Sequence, residues 1–172
     1  MAVSDKRVAV LVDQQYQEME VWYPVYRLRE AGARVSIVGP TAETFAGKFG
    51  YPCKADVAIH DARAEDFDAV VIPGGWAPDF LRREPAINRF VARLDQDGKV
   101  VASICHGGWV LCSAKMLRGR KATSFFAIAD DMIHAGAEWT DAEVVVDRNL
   151  ITARKPDDLP AFMAAVIKAL DS

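Results

Sequence analysis

The chain contains few of the residues that build disulfide frameworks and metal centres, with three cysteines and three histidines among 172 residues. The cysteines form neither an even set nor a CxxC pair: they are Cys53, Cys105 and Cys112. No histidine lies at ligand spacing from another histidine or from a cysteine: they are His60, His106 and His134. We therefore expect reduced thiols, as in a cytoplasmic protein, and neither a metal nor any other cofactor.

The chain also lacks a surplus of one charge and a long apolar segment. Its 21 basic and 24 acidic residues give a net charge of −3, without the basic stripe that is typical of proteins that bind nucleic acids. No apolar run approaches the ~20 residues that span a bilayer, and the start of the chain does not look like a secretory leader. We expect a protein that binds neither nucleic acid nor membrane.

Strands and helices alternate regularly along the sequence. β-Branched apolar runs predict core strands at 7–12, 34–39, 68–73 and 99–104. Amphipathic spacing predicts helices at 18–33, 85–98, 106–117 and 157–170, the first with a kink or a late start at Pro24. A small antiparallel excursion is expected within 41–60 and a hairpin at 143–153. This order predicts a flavodoxin-like three-layer α/β/α sandwich with a mainly parallel sheet, formed as one domain by residues 1–172.

Ligands in such folds bind beyond the carboxyl ends of the strands, where the loops that follow the core strands meet. Here those loops are 13–17, 73–78, 105–108 and 153–158. We expect them to cluster and to form the functional site.

Cys105 gives this edge of the sheet its candidate chemistry. It lies between a strand and a helix, with the small residues Ser103 and Gly107 two positions to either side, which is the pattern of a nucleophile elbow. We expect a strained backbone at Cys105, a thiolate favoured by the helix N-terminus, and an oxyanion hole from the N–H groups of His106 and Gly75. An ordinary buried thiol is the alternative. His106 is a weak signal by itself because neighbours on a helix diverge, but its ring could supply a polar group to the site if it turns inward.

Longer stretches carry a resemblance to a known family. "FDAVVIPGGWAPDFLR", "GKVVASICHGGWVL" and "DDMIHAGAEWTDAEVVVDRNLITARKPDDLPAF" are similar, in this order, to the ThiJ/PfpI family, which includes the Parkinson-associated deglycase and the archaeal intracellular protease. The resemblance implies that Cys105 is the reactive cysteine, with Glu20 as an acidic partner that is held protonated or acts as a base. It also implies a homo-oligomer. The remaining catalytic or pocket residues are expected to be His106, Gly74, Gly75, Lys48, Trp76, Gln17 and Phe125.

Four positions depart from the family's pattern. Gln17 stands where relatives carry an acid, and Phe125 stands where they carry a hydrogen-bonding tyrosine or histidine. Phe126 and Gly108 stand where relatives carry prolines. Because a phenyl ring neither carries a proton nor orients an oxygen, the third polar group of the site is missing, which weakens the case for an enzyme.

Two hypotheses of function follow. The first is a stress-response hydrolase or lyase in which Cys105 attacks a carbonyl carbon, either of a small reactive carbonyl such as methylglyoxal, as in glyoxalase III or a deglycase, or of a peptide. The small carbonyl is favoured because no peptide-binding cleft can be argued from the sequence. The alternative is an oxidant sensor or holdase chaperone with an oxidisable Cys105.

Overall fold

A central sheet organises residues 3–172, which are the residues that the computed structural model describes. The strands are β1 (Arg7–Leu11), β2 (Arg34–Gly39), β3 (Thr44–Ala46), β4 (Pro52–Lys54), β5 (Val57–Ala58), β6 (Ala69–Ile72), β7 (Val100–Ile104), β8 (Lys121–Ala122), β9 (Glu138–Trp139), β10 (Val144–Asp147) and β11 (Leu150–Ala153). Seven of them form one sheet in the order β10-β11-β7-β6-β1-β2-β5. Only the β10–β11 pair of this sheet is antiparallel.

Helices cover both faces of the sheet. They are α1 (Glu18–Glu30), α2 (Ala77–Leu81), α3 (Pro85–Gln96), α4 (Gly108–Ser113), α5 (Ala129–His134) and α6 (Leu159–Asp171). α1 and α6 pack against each other and against the sheet, whereas α3 packs on β6 and β7 and contacts α4. This is the three-layer α/β/α sandwich expected from the sequence, and the core strands are buried along nearly their whole length because helices cover both sides.

The sequence located the long elements well and the short ones poorly. α1 is continuous from Glu18 to Glu30 with Pro24 inside it, so a late start is wrong. The single helix expected over 106–117 is also wrong: a 3₁₀ turn precedes α4, and the chain leaves the helix before Lys115, which has a φ of 57°. The short helices α2 and α5 and the short strands β8 and β9 were not expected from the sequence. The antiparallel β3–β4 pair confirms the excursion expected within 41–60, and the β10–β11 pair confirms the hairpin expected at 143–153.

The strand order reverses between β1 and β6, which is where such sheets form a crevice. Tyr16, fully buried in the loop after β1, holds that crevice together. The carbonyl of Tyr16 accepts the N–H of Lys48 at 2.8 Å, and its hydroxyl donates to the carbonyl of Tyr51 at 2.6 Å. The neighbouring Gln15 carbonyl accepts the N–H of Trp76 at 2.9 Å. Three loops are thereby fixed around one point.

The turn after β7 has the geometry of a nucleophile elbow. Cys105 has a φ of 61°, in the left-handed region that side chains other than glycine rarely adopt, as the sequence led us to expect. A Cβ at Gly107 would lie 2.6 Å from the hydroxyl oxygen of Ser103 and 2.7 Å from the carbonyl oxygen of Ile72. The small residue after the cysteine is therefore required by the close passage of β6 and β7.

This geometry makes a prediction about stability. The left-handed region costs a residue with a Cβ about 1–2 kcal/mol, so Cys105→Gly should be about 1 kcal/mol more stable than Cys105→Ala in urea unfolding. Both variants lack the sulfur, so their difference isolates the backbone strain. The matched pair is Cys112→Gly and Cys112→Ala in α4, where we expect the reverse order because glycine destabilises a helix. Equal free energies of unfolding for the two Cys105 variants would show that the backbone at residue 105 is not strained by a Cβ.

Candidate active site

A cavity of about 170 Å³ lies at the carboxyl ends of β1, β6 and β7. It is lined by Gln17, Glu20, Lys48, Gly75, Trp76, Cys105, His106, Phe125 and Pro156. All the site residues expected from the sequence are in this lining except Gly74, which is hydrogen-bonded to Glu20 behind it. Pro156 was not singled out, although its loop is one of the four expected at this edge.

Glu20 reaches the cavity from the buried face of α1. It lies on one side of the helix with Val21, Val25 and Leu28, and its side chain is fully buried. Its Oε2 atom accepts the N–H of Gly74 at 2.7 Å, while Oε1 is buried without a nitrogen or oxygen partner among the described residues. The thiol of Cys105 lies on the same side of Gly74 as this carboxyl group and lowers its pKa. Oε1 is therefore free to carry a proton and to donate it.

Cys105 lies opposite this carboxyl group with its side chain largely buried. The backbone N–H groups of His106 and Gly75 lie close enough to the sulfur to lower the pKa of the thiol, and their role as an oxyanion hole stays a prediction. The thiol and the carboxyl group meet because Gly74 has no side chain. A Cβ at Gly74 would lie 2.5 Å from Oε2 of Glu20 and 2.9 Å from Sγ of Cys105. Neither contact is tolerable, so Gly74 is required by the pair.

Burial controls the protonation of the two groups. It raises the pKa of Glu20 to about 7, and the hydrogen bond from Gly74 opposes this rise only in part. Burial also raises the pKa of the Cys105 thiol, as does the negative charge of an ionised Glu20, while the N–H groups of His106 and Gly75 lower it. The low thiol pKa expected from a helix N-terminus is therefore wrong, since α4 has only six residues and burial dominates. The two groups together hold one negative charge above pH ~7.

His106 turns its ring towards the sulfur. Its Nδ1 atom lies 3.3 Å from Sγ of Cys105, and burial and the positive charge of Lys48 lower the pKa of the ring. The ring is therefore neutral at pH 7 and can accept the thiol proton. This is the inward orientation that the sequence left open, and it arises because residues 105–107 form a 3₁₀ turn that begins at the left-handed Cys105 rather than a turn of α-helix.

Aromatic side chains enclose the ring of His106. Phe125 stacks on it with a centroid distance of 5.0 Å, and the rings of Trp76 and Trp109 lie at 5.3 and 5.1 Å. Trp109 is not among the site residues expected from the sequence, although its i, i+3 spacing from His106 indicates a shared face. The result is a cavity with a polar floor, formed by the thiol and the carboxyl group, and an aromatic wall.

Phe125 and Gln17, two of the four residues that depart from the family's pattern, hold neighbouring parts of the site in place. The backbone N–H of Phe125 donates to the carbonyl of Cys105 at 3.2 Å, which holds the strained residue from the other side. The side-chain Oε1 of Gln17 accepts the N–H of Met19 at 2.7 Å and caps α1, the helix that carries Glu20. Lys48 is exposed at the rim, where its charge lowers the pKa of Glu20.

The other cysteines lack these features. Burial raises the pKa of Cys53 and of Cys112 to about 11, and neither lines the cavity.

Within residues 3–172, no three His, Cys, Asp or Glu side chains are grouped so that they could hold a metal ion. In the same part of the chain no helix is long and apolar enough to cross a membrane.

The chain is similar to known proteins along nearly its whole length. Deglycase PH1704 from Pyrococcus horikoshii is 44% identical over 164 residues, which cover 95% of this chain and 99% of that protein. YraA from Bacillus subtilis, whose name assigns it provisionally to the cysteine proteases, is 43% identical over 158 residues, 91% of this chain and 94% of its own.

Solved structures show the same fold. A two-domain protein from Anabaena variabilis, with a DJ-1/ThiJ/PfpI-like and a ferritin-like domain, superposes with a TM-score of 0.95 at 45% identity. The match covers 96% of this chain and 48% of that protein, so this chain spans about half of its length. DJ-1beta from Drosophila melanogaster superposes with a TM-score of 0.91 at 25% identity, covering 97% and 91% of the two chains. The model of the DJ-1/PfpI family matches residues 6–169, and the chain belongs to this family.

Proposed function

We propose that the protein is a cofactor-independent enzyme that converts small α-oxoaldehydes such as methylglyoxal, free or as adducts with amines, with Cys105 as the nucleophile. The observation that carries this proposal is the convergence of a thiol, a buried carboxyl group and two backbone N–H groups on one small cavity. Relatives named deglycases support the same class of substrate.

The arrangement supports a sequence of balanced steps. Sγ of Cys105 bonds to the aldehyde carbon while the thiol proton moves to Nδ1 of His106. The carbonyl oxygen becomes an oxyanion beside the N–H groups of Gly75 and His106, and then takes up that proton from His106 to give a hemithioacetal.

Glu20 is placed to complete the conversion of this hemithioacetal. Its carboxylate takes the proton from the former aldehyde carbon and returns it to the neighbouring carbonyl carbon, while the hydroxyl proton passes between the two oxygens. The first carbon is thereby oxidised to a thioester and the second is reduced to an alcohol. Water then cleaves the thioester, which releases lactate and the free thiol.

The size of the cavity favours a small carbonyl over a peptide. Its volume of about 170 Å³ equals that of about six water molecules at ~30 Å³ each, which suits a substrate of few heavy atoms. Peptide hydrolysis, which the naming of YraA raises, therefore fits the cavity less well.

The first test removes the nucleophile. Cys105→Ala should lower kcat/KM for methylglyoxal by at least about 100-fold, because no other cysteine lies in the cavity. Cys112→Ala, which leaves the cavity unchanged, should retain wild-type turnover. Lactate formation measured with purified protein checks both. Equal turnover by the wild type and Cys105→Ala would contradict the proposed function.

The wild type and Cys105→Ala also distinguish the oxidant-sensor hypothesis from the enzyme hypothesis. A sensor requires no turnover of methylglyoxal, and it requires mild peroxide to add oxygen selectively at Cys105. The burial that raises the thiol pKa does not decide between the two functions, because oxidation and nucleophilic attack both require the thiolate. Mass spectrometry of the peroxide-treated wild type, read together with its turnover, separates the two functions.

A second test concerns the proton on Glu20. Glu20→Gln should lower kcat/KM for methylglyoxal by about 100-fold or more, since proton transfer by a positioned side chain contributes roughly that much. Alkylation of Cys105 by iodoacetamide at pH 8 should instead become faster, because the charge that raises the thiol pKa is gone.

The wild type should also show a pH dependence that follows from Glu20. Since burial raises its pKa to about 7, kcat/KM should increase as the pH rises through about 7 and the carboxyl group loses its proton. Glu30→Gln, an exposed change near the end of the same helix, should keep both the profile and the alkylation rate. Alkylation that is slower in Glu20→Gln than in the wild type would contradict the pairing of thiol and carboxyl group.

The homo-oligomer that the resemblance implied stays a prediction. The exposed apolar residues Met19, Tyr26, Phe49 and Tyr51 lie on or beside α1, and groups of such residues are typical of subunit contacts. We propose that a second copy of the chain covers this face.

A further inference from the structure

A second cavity, of about 390 Å³, adjoins the catalytic one. It is lined by Phe125, Phe126, Asp141, Arg154 and Lys155. Phe125 lines both cavities, and Lys155 is bonded to Pro156, which lines the first. The ring of Phe125 therefore borders both spaces, and a substrate at Cys105 that reaches past this ring would enter the second cavity.

The charged groups of the second cavity are already paired. The guanidinium of Arg154 donates to both carboxylate oxygens of Asp158, at 2.9 and 3.1 Å, and to Asp141 at 2.9 Å. Lys155 lies 3.3 Å from a carboxylate oxygen of Asp157. Because these pairs satisfy one another, the cavity offers no strong site for a charged ligand group.

Its distinguishing feature is a pair of phenylalanine rings. The rings of Phe125 and Phe126 lie 4.7 Å apart between centroids, and Phe126 is 72% exposed. A phenylalanine so exposed contributes little to the core, whereas exposed apolar side chains at the mouth of a cavity are typical of ligand-binding surfaces. The ring of Phe125 continues into the stack with His106, so an aromatic surface leads from the opening towards Cys105.

We infer that this second cavity makes the protein selective for α-oxoaldehydes that carry an aromatic substituent, with the substituent against Phe126 and Phe125 and the aldehyde carbon at Cys105. The inference rests on the proposed function and names the substrate class within it. Phe126 is then a residue that determines specificity and takes no part in the chemical steps. Aromatic pairs of this kind contribute a factor of about 3 to 10 beyond simple burial.

The test compares phenylglyoxal with methylglyoxal, two α-oxoaldehydes that differ only in the substituent. The wild type should convert phenylglyoxal with a kcat/KM about 10-fold higher or more. Phe126→Ala should lower kcat/KM for phenylglyoxal by about 5- to 10-fold and leave that for methylglyoxal within 2-fold. Val146→Ala, a matched change of an exposed apolar residue on β10, should alter neither value.

A binding measurement keeps the inference separate from the chemistry. Acetophenone, which has the aryl ketone but no aldehyde, should bind Cys105→Ala and shift the NMR signals of the Phe126 ring, and it should bind at least 5-fold more weakly once Phe126→Ala is added. Binding of this kind without turnover of either aldehyde would support the second cavity and overturn the proposed function. Turnover without preference, or with a preference that Phe126→Ala leaves unchanged, would overturn the inference alone. A change in oligomeric mass in Phe126→Ala with unchanged preference would likewise overturn it.

Discussion

The absence of a side chain at Gly74 is the constraint on which the site depends. The backbone at this residue approaches the carboxyl group of Glu20 and the sulfur of Cys105 so closely that a Cβ would contact both. The N–H of Gly74 can therefore stabilise a carboxylate that is otherwise removed from water, and the thiol can face the same carboxyl group. Burial of two acids side by side then forces them to share one negative charge, since two such charges in one buried site repel each other strongly.

The fold brings these groups together from distant parts of the chain. Glu20 follows β1, Gly74 and Gly75 follow β6, and Cys105 follows β7, so neighbouring parallel strands deliver them to one edge of the sheet. Backbone hydrogen bonds around Tyr16 fix the loops relative to one another. The strain at Cys105 persists because β6 and β7 are buried and leave the turn no room to relax.

Much of this arrangement could be predicted from the sequence, because it depends on patterns that are local along the chain. β-Branched runs identify buried parallel strands, and the small residues around Cys105 identify a tight turn. The direction of the His106 ring could not be predicted, since it depends on the 3₁₀ turn that the strained cysteine imposes. The thiol pKa could not be predicted either, because the sequence shows the nearby donors but not the depth of burial.

The second cavity could not be predicted from the sequence either. In the sequence, Phe125 replaces a polar group and Phe126 replaces a proline, and only the spatial arrangement shows that the two rings form an aromatic surface beside the catalytic cavity. Arg154 pairs with Asp158 in its own loop and with Asp141 in the segment between β9 and β10, so the charges on that surface are offset by carboxylates from two places in the chain. With a phenyl ring at position 125, the polar groups that remain for the proposed chemistry are Cys105, Glu20 and His106.

The most direct test of this account is an NMR titration of the carboxyl carbon of Glu20 in the wild-type protein, assigned with the help of Glu20→Gln. A buried carboxyl group beside the thiol should titrate with a midpoint near pH 7. A midpoint near 4.5, the ordinary value for glutamate, would show that Glu20 is solvated and does not share a proton with Cys105, which would contradict the central claim.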